Sequence, residues 1–182
     1  VTITANPAPT AIITGASSFC AGASTTLSAS TSTAGTGTIT TYQWKRNSVN
    51  VGTNSATYVA TTAGNYTVTV TNSNNCSTTS GTTTIAVNPL PTLSIDPSTA
   101  STCVGTAISL TANGASTYSW SPLTGLNTTT GSVVSANPAG TTTYTVTGTD
   151  GNGCVNTSSR TVTVNQLPTI SISPSSPTIC NG

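Results

Sequence analysis

A chain that repeats itself about every 80 residues must fold into units that each repeat can build, alone or with its neighbours. Asn6-Pro7-Ala8-Pro9-Thr10 returns as Asn88-Pro89-Leu90-Pro91-Thr92 and again as Asn165-Gln166-Leu167-Pro168-Thr169. Each copy follows a β-branched run (Val1 to Ala5, Thr83 to Val87, Thr161 to Val164) and leads to a Cys-x-Gly: Cys20-Ala21-Gly22, Cys103-Val104-Gly105 and Cys180-Asn181-Gly182. Between these marks the match continues. Thr25-Thr26-Leu27-Ser28-Ala29 aligns with Ile108-Ser109-Leu110-Thr111-Ala112, and Tyr42-Gln43-Trp44 with Tyr118-Ser119-Trp120. Tyr66-Thr67-Val68-Thr69-Val70 aligns with Tyr144-Thr145-Val146-Thr147-Gly148, and Asn75-Cys76 with Gly153-Cys154. The organisation expected is therefore the last strand of a preceding repeat at 1–5, one repeat at 6–87, a second at 88–164, and the first strand of a following repeat at 165–182. On this reading the chain is an excerpt of a longer polypeptide, or its last segment completes a neighbouring subunit by strand donation.

Period-2 alternation of β-branched residues places the strands. In the first repeat they fall near 10–14 (A), 25–30 (B), 41–46 (C), 56–60 (E), 65–71 (F) and 82–87 (G). In the second they fall near 92–96, 107–112, 117–121, 132–136, 142–149 and 160–164. Along F, Tyr66, Val68 and Val70 share one face and leave Thr67, Thr69 and Thr71 on the other. Asn-, Gly- and Asp-rich stretches such as Ser73-Asn74-Asn75 and Asp150-Gly151-Asn152-Gly153 mark turns. Short strands in this number, with a tryptophan on the third, predict an all-β fold of tandem immunoglobulin-like β-sandwich domains, stacked end to end. Trp44 and Trp120, with Tyr42 and Tyr118 two residues earlier, are the expected core anchors; sugar stacking is their alternative use. Tyr66 and Tyr144 match the strand-F tyrosine whose hydroxyl bonds back to the backbone. Two prolines in the Asn88–Thr92 joint favour extended backbone and a stiff connection.

Composition then removes whole classes of function. Lys45, Arg46 and Arg160 are the only basic residues, Asp96 and Asp150 the only acidic ones, and Glu, His and Met are absent. Thr and Ser make up about two-fifths of the chain, well above the average composition of a globular domain. A net charge of +1 supplies neither the phosphate contacts of nucleic-acid binding nor a polybasic membrane patch. No apolar run approaches the ~18 residues of a membrane span, so direct insertion is not expected. Without His there is no Ser-His-Asp or Cys-His set, and the two Asp residues read as turn formers. Asp150-Gly151-Asn152-Gly153 offers one carboxylate, too few for a strong calcium loop. The expectation is no enzyme, no cofactor and no metal. Asn65, Asn75, Asn127 and Asn156 begin glycosylation sequons, and surface hydroxyls could carry O-glycans.

The order Asn-Pro-Leu-Pro-Thr, Cys-x-Gly, Leu-x-Ala, Tyr-x-Trp, Tyr-x-Val-x-Val and Gly-Cys resembles the Ig-like and PKD-like repeats of giant Bacteroidota cell-surface proteins. The resemblance covers essentially the whole chain. It implies a gliding-motility adhesin or extracellular filament, exported by the type IX route. Repeat 1 departs by an insertion near Thr33 to Thr40, and repeat 2 by Gly148 where repeat 1 has Val70. The function expected is a non-catalytic structural or adhesive repeat region of a secreted cell-surface protein. The alternatives are a glycan- or protein-binding module, for which Tyr58 and Phe19 are the remaining candidate aromatics, and a spacer of a secreted enzyme. Expected partners are neighbouring repeats of the same chain, other copies in a filament, or surface glycans.

Cys20, Cys76, Cys103, Cys154 and Cys180, with no CxxC pair, point to disulfides in an oxidising compartment. Two connectivities compete. Pairing within each repeat joins Cys20 to Cys76 and Cys103 to Cys154. However, B and F run the same way in such a sandwich, which puts the start of B and the end of F at opposite poles. Pairing between repeats joins Cys20 to Cys154 and sends Cys76 backward and Cys103 forward to adjacent repeats, closing long loops.

Overall fold

The computed structural model describes residues 5–171. The strand expected before Ala5 and the Cys180 segment expected to open a following repeat lie outside the described residues. The chain divides into two compact units between Leu90 and Pro91, inside the Asn-Pro-Leu-Pro-Thr motif.

Unit 1 is built from β1 (Ser18–Cys20), β2 (Thr25–Ser28), β3 (Ile39–Arg46), β4 (Val49–Val51), β5 (Thr57–Ala60), β6 (Gly64–Asn72), β7 (Ser77–Thr79) and β8 (Thr83–Asn88). One sheet runs β1-β8-β6-β3-β4, with β7 also on β6; β2 and β5 form the opposing ladder. Unit 2 repeats the plan with β9 (Ser94–Asp96), β10 (Ala100–Cys103), β11 (Ile108–Asn113), β12 (Thr117–Ser121), β13 (Val133–Ala136), β14 (Thr142–Thr149) and β15 (Val155–Asn165). Its sheets are β10-β15-β14-β12 and β13-β11-β9. Each unit is an immunoglobulin-like sandwich. The alternation read along F explains why: Tyr66, Val68 and Val70 are fully buried on the inner face of β6, as are Tyr144 and Val146 on β14. Each such side chain contributes about 1.5–3 kcal/mol on leaving water.

The outer faces are held by hydroxyls. Thr69 pairs with Thr79 at 2.8 Å and Thr71 with Ser77 at 2.8 Å; Thr143 pairs with Thr161 at 2.8 Å and Thr145 with Ser159 at 2.9 Å. All four pairs stand directly opposite across antiparallel ladders. Each can add a few tenths of a kcal/mol to roughly 1 kcal/mol, without any charge.

The structure differs from the sequence reading at the start of each unit. Strand A, expected at 10–14, is reduced in unit 1 to bridges Thr10 to Thr33 and Thr14 to Ser28. A three-residue strand that periodicity cannot register follows it: β1 pairs in parallel with β8, Ser18 opposite Ala86 and Cys20 opposite Asn88. Its counterpart β10 pairs in parallel with β15, Cys103 opposite Asn165.

The glycine departure in unit 2 has a packing cause. A Cβ on Gly148 would stand 2.6 Å from Leu93 Cδ2 and 2.8 Å from Ala115 Cβ. Where unit 1 carries Ala11 with Val70, unit 2 carries Leu93 with Gly148, so bulk has moved from the last strand-F position to the segment that opens the unit. Gly148→Val should therefore cost about 1–3 kcal/mol by overpacking. In the Leu93→Ala background the same change should cost measurably less, and urea unfolding of the four-member cycle reads the coupling.

Candidate functional site

The repeated polar motifs gather at the two ends of each sandwich. At one end, the Cys-x-Gly sequence is a tight turn: Ala23 N–H donates to Cys20 O at 2.9 Å, and Thr106 N–H to Cys103 O at 3.0 Å. The third residue has φ 84° at Gly22 and 81° at Gly105, which is why glycine stands there. The middle residue hooks the turn onto the end of the last strand, Ala21 N–H to Asn88 O at 2.8 Å and Val104 N–H to Asn165 O at 3.0 Å.

At the other end, the F–G turn is organised by one side-chain oxygen. Asn72 Oδ1 accepts from the N–H groups of Asn74 and Cys76, both at 3.0 Å. Asp150 Oδ1 accepts from those of Asn152 and Cys154, both at 2.8 Å. Asn72 is fully buried, and its Nδ2 also donates to Ala34 O at 2.9 Å and to Pro7 O at 3.3 Å. In unit 2 that second duty passes to Asn156, whose Nδ2 reaches Pro91 O at 2.9 Å. Both units thus tie a proline of their opening motif to the F–G end, the first proline in unit 1 and the second in unit 2.

The cysteines occupy these two kinds of turn and are not equivalent in state. Cys20 and Cys154 are disulfide-bonded. Cys76 and Cys103 carry free thiols, the first half-buried and the second exposed. Cys180 lies outside the described residues. Neither within-repeat pair forms, and the geometry of a single unit shows why. Cys20 lies beside Asn88, beyond the start of β6, whereas Cys76 follows the end of β6 and its Sγ approaches Asn6 O at 3.8 Å. A nine-residue strand separates them by about 25 Å or more, whereas bridged Cα atoms must lie within about 7 Å.

The aromatic candidates are spent on the core. Trp44 is 0% exposed and Trp120 4%. Their indole N–H groups donate to Ser55 O and Gly131 O, each at 2.9 Å. That burial removes the sugar-stacking alternative for both. Tyr42 and Tyr118 are partly buried against the same cores, and the Tyr118 hydroxyl donates to Ala115 O at 2.8 Å. Phe19, a candidate loop aromatic by sequence, is instead a core residue at 8% exposure, drawn in by β1. Tyr58 stacks on Trp44, centroids 5.9 Å apart, and tilts against Tyr66 at 5.7 Å. No exposed aromatic cluster is left from these candidates.

The strand-F tyrosines diverge in detail. Tyr66 donates to Thr62 O at 2.8 Å, four residues back. Tyr144 donates to Thr124 O at 2.7 Å, twenty residues back. Unit 2 has Val134 where unit 1 has Tyr58, and the 122–127 loop brings Leu126 against the core to fill the space. Burial pushes the Tyr144 phenol above its ordinary pKa.

Both carboxylates and both arginines are likewise engaged. Asp96 Oδ2 accepts from Asn113 Nδ2 at 3.0 Å. Arg46 donates to Thr62 Oγ1, and Arg160 donates to Ser98 O and, at 2.9 Å, to Ile95 O. An open polar groove of about 670 Å³ runs along β10 and β15, lined by Ser101, Ser159, Thr161, Thr163 and Asn165 beside Arg160. Among the described residues, no three His, Cys, Asp or Glu side chains are grouped as metal ligands. No helix among them is long and apolar enough to cross a membrane.

Because Asp150 acts through one acceptor oxygen, as Asn72 does, Asp150→Asn should leave stability within about 0.5 kcal/mol of the parent, with no calcium dependence. Asp150→Ala should cost about 1 kcal/mol or a little more, since the N–H of buried Cys154 loses its partner while that of exposed Asn152 can turn to water. Denaturant unfolding of both variants, with and without calcium, measures the contrast.

With the geometry in place, comparison with known proteins is informative for the first unit. The PKD domain family matches residues 6–89. No curated protein matches the sequence. Similar solved structures include the three N-terminal domains of the bacteriophage RB49 Hoc capsid protein (22% identity, TM-score 0.49, 86% of this chain and 59% of that chain). The fibronectin(III)-like modules of Clostridium thermocellum CbhA are also similar (16% identity, TM-score 0.43, 85% and 95%). A third is a Ca2+-stabilized, ice-binding adhesin of an Antarctic bacterium (16% identity, TM-score 0.45, 87% and 50%). The chain thus spans about three-fifths of the phage protein fragment it matches. Residues 6–89 match the PKD domain family, and they fold as an immunoglobulin-like sandwich.

Proposed function

We propose that this chain is a non-catalytic, load-carrying stretch of a long extracellular surface protein or filament, an adhesin among the possibilities, in which such units follow one another. The observation that carries this reading is the pairing of each unit's last strand with a strand near its start. β1 with β8, and β10 with β15, are parallel. Tension applied through the ends of a unit therefore pulls the two partners past each other and loads their hydrogen bonds together. Antiparallel terminal strands would instead open one bond at a time.

Two further features support the setting. Cys20 and Cys154 are disulfide-bonded, which fits an oxidising compartment. The outer faces of β6 and β14 carry hydroxyl ladders in place of titratable chemistry. The polar groove of unit 2 is the feature a glycan-binding reading would use, although no aromatic platform lies among its lining residues.

Single-molecule stretching of the chain in reductant, held by its ends, tests the proposal. Each unit should rupture in one discrete step. Ala86→Pro removes the donor that bonds Ser17 O at 2.9 Å and should lower the rupture force of unit 1 while leaving unit 2 as an internal control. Rupture forces unaffected by that change, or units that extend gradually without a step, would count against load-carrying. Retention of the chain on a glycan surface, lost on substituting Thr161 and Thr163, would favour the binding reading.

A further inference from the structure

The thiols at Cys76 and Cys103 stand in turns whose counterparts form disulfides. Cys103 occupies the same hooked Cys-x-Gly turn as Cys20, with the same strand-end asparagine beside it. Cys76 occupies the same Asx-organised F–G turn as Cys154. Cys20 and Cys154 are both oxidised, so neither turn type prevents a disulfide. Within a unit, the two kinds of cysteine lie a full strand length apart and remain unjoined in both units.

We propose that Cys103 and Cys76 are complementary covalent coupling sites, and that the partner of each is the other kind of cysteine on a second copy of this chain. The coupling is directional. Cys103 of one copy joins Cys76 of the next, leaving Cys76 of the first and Cys103 of the second open for further additions. Like-with-like pairing at both sites would give an alternating head-to-head, tail-to-tail chain, whereas complementary pairing gives a covalent head-to-tail filament. This does not depend on the load-carrying reading, since a chain could couple in this way and still be mechanically weak.

The chemistry needs an oxidant, here a small-molecule disulfide. The Cys103 thiolate attacks oxidised glutathione, forming a protein–glutathione mixed disulfide and releasing one glutathione. The Cys76 thiolate of the second copy then attacks the Cys103 sulfur of that mixed disulfide and releases the second. Two protein thiols and one glutathione disulfide become one protein disulfide and two glutathione thiols. Exposure of Cys103 favours it as the site of first attack, since access limits exchange. Cys76 is half-buried, and its Sγ lies 3.8 Å from Asn6 O and 3.9 Å from Asn74 O.

The test uses the full chain carrying Cys180→Ser, so that the fifth cysteine cannot contribute. Incubation with a glutathione redox buffer should give a ladder of multimers on non-reducing electrophoresis, collapsed by reductant. Non-reducing peptide mapping of a mixture of isotope-labelled and unlabelled copies should show mixed-label Cys76–Cys103 peptides. Adding Cys76→Ser or Cys103→Ser should leave each variant monomeric by itself. Mixing those two variants should restore a dimer and nothing larger. Dimers from either variant alone, a mixture that stays monomeric, or a parent chain that does not oligomerise under oxidation would each overturn the proposal. Folding of the serine variants is checked independently by their cooperative unfolding.

Discussion

In each unit the indole of the third strand is the member on which the two sheets depend. Trp44 is fully enclosed, stacks with Tyr58 from the opposing ladder, and gives its N–H to the carbonyl of Ser55 just before that ladder's second strand. Trp120 makes the same bond to Gly131, again eleven residues on. A chain this poor in large apolar groups has few ways to bury enough surface for a sandwich. One large ring per unit, satisfied at its polar edge and flanked by a short column of valines and a tyrosine, meets that need without leaving an orphaned donor. The residues that make the core are thereby withdrawn from recognition, and this is why neither tryptophan can serve a ligand.

With the core confined to one face of each strand, the outer faces must resist association without charge. Threonine does this locally. It favours extended backbone, and across β6–β7 and β14–β15 its hydroxyl finds a direct partner. Amides perform the longer-range work. Asn72 supplements the backbone hydrogen bonds of the F–G turn and ties it to the opening segment, and Asp150 with Asn156 divides the same task in unit 2. One of the two carboxylates is thus explained as an acceptor in a turn, with no catalytic partner required.

The sandwich, the place of most of its strands and its aromatic core were legible because they rest on period-2 alternation and on the internal repeat, which vouches for each segment twice. What escaped the sequence had no period to announce it. A three-residue strand such as Ser18–Cys20 shows no alternation, so the parallel terminal pairing was invisible and Phe19 read as a loop residue. The long reach of Tyr144 to Thr124 depends on a loop folding in where a valine replaces Tyr58, a tertiary effect that local pattern cannot carry. The cysteines were visible as candidates, but the separation of their turns, and so the failure of pairing within a unit, becomes firm only once β6 and β8 are seen in register.

The two units differ most where the sandwich is merely packed and least where its ends are polar. Ala11 with Val70 has become Leu93 with Gly148, the loop after the third strand has been rebuilt, and the last strand is split in unit 1 and continuous in unit 2. The hooked Cys-x-Gly turn and the F–G turn with its side-chain acceptor keep the same hydrogen bonds in both, whereas the amide clamp on the opening motif is made by a different asparagine in each. Core packing tolerates such exchanges as long as volume is conserved, because dispersion contacts are not tied to particular atoms. A turn that must present a sulfur at a fixed place has no such latitude, since a disulfide accepts only a narrow range of Cα separations. That contrast places the chemistry of this chain at the ends of its units, where sulfur can meet sulfur, and leaves the sandwich between them to hold those ends a fixed distance apart.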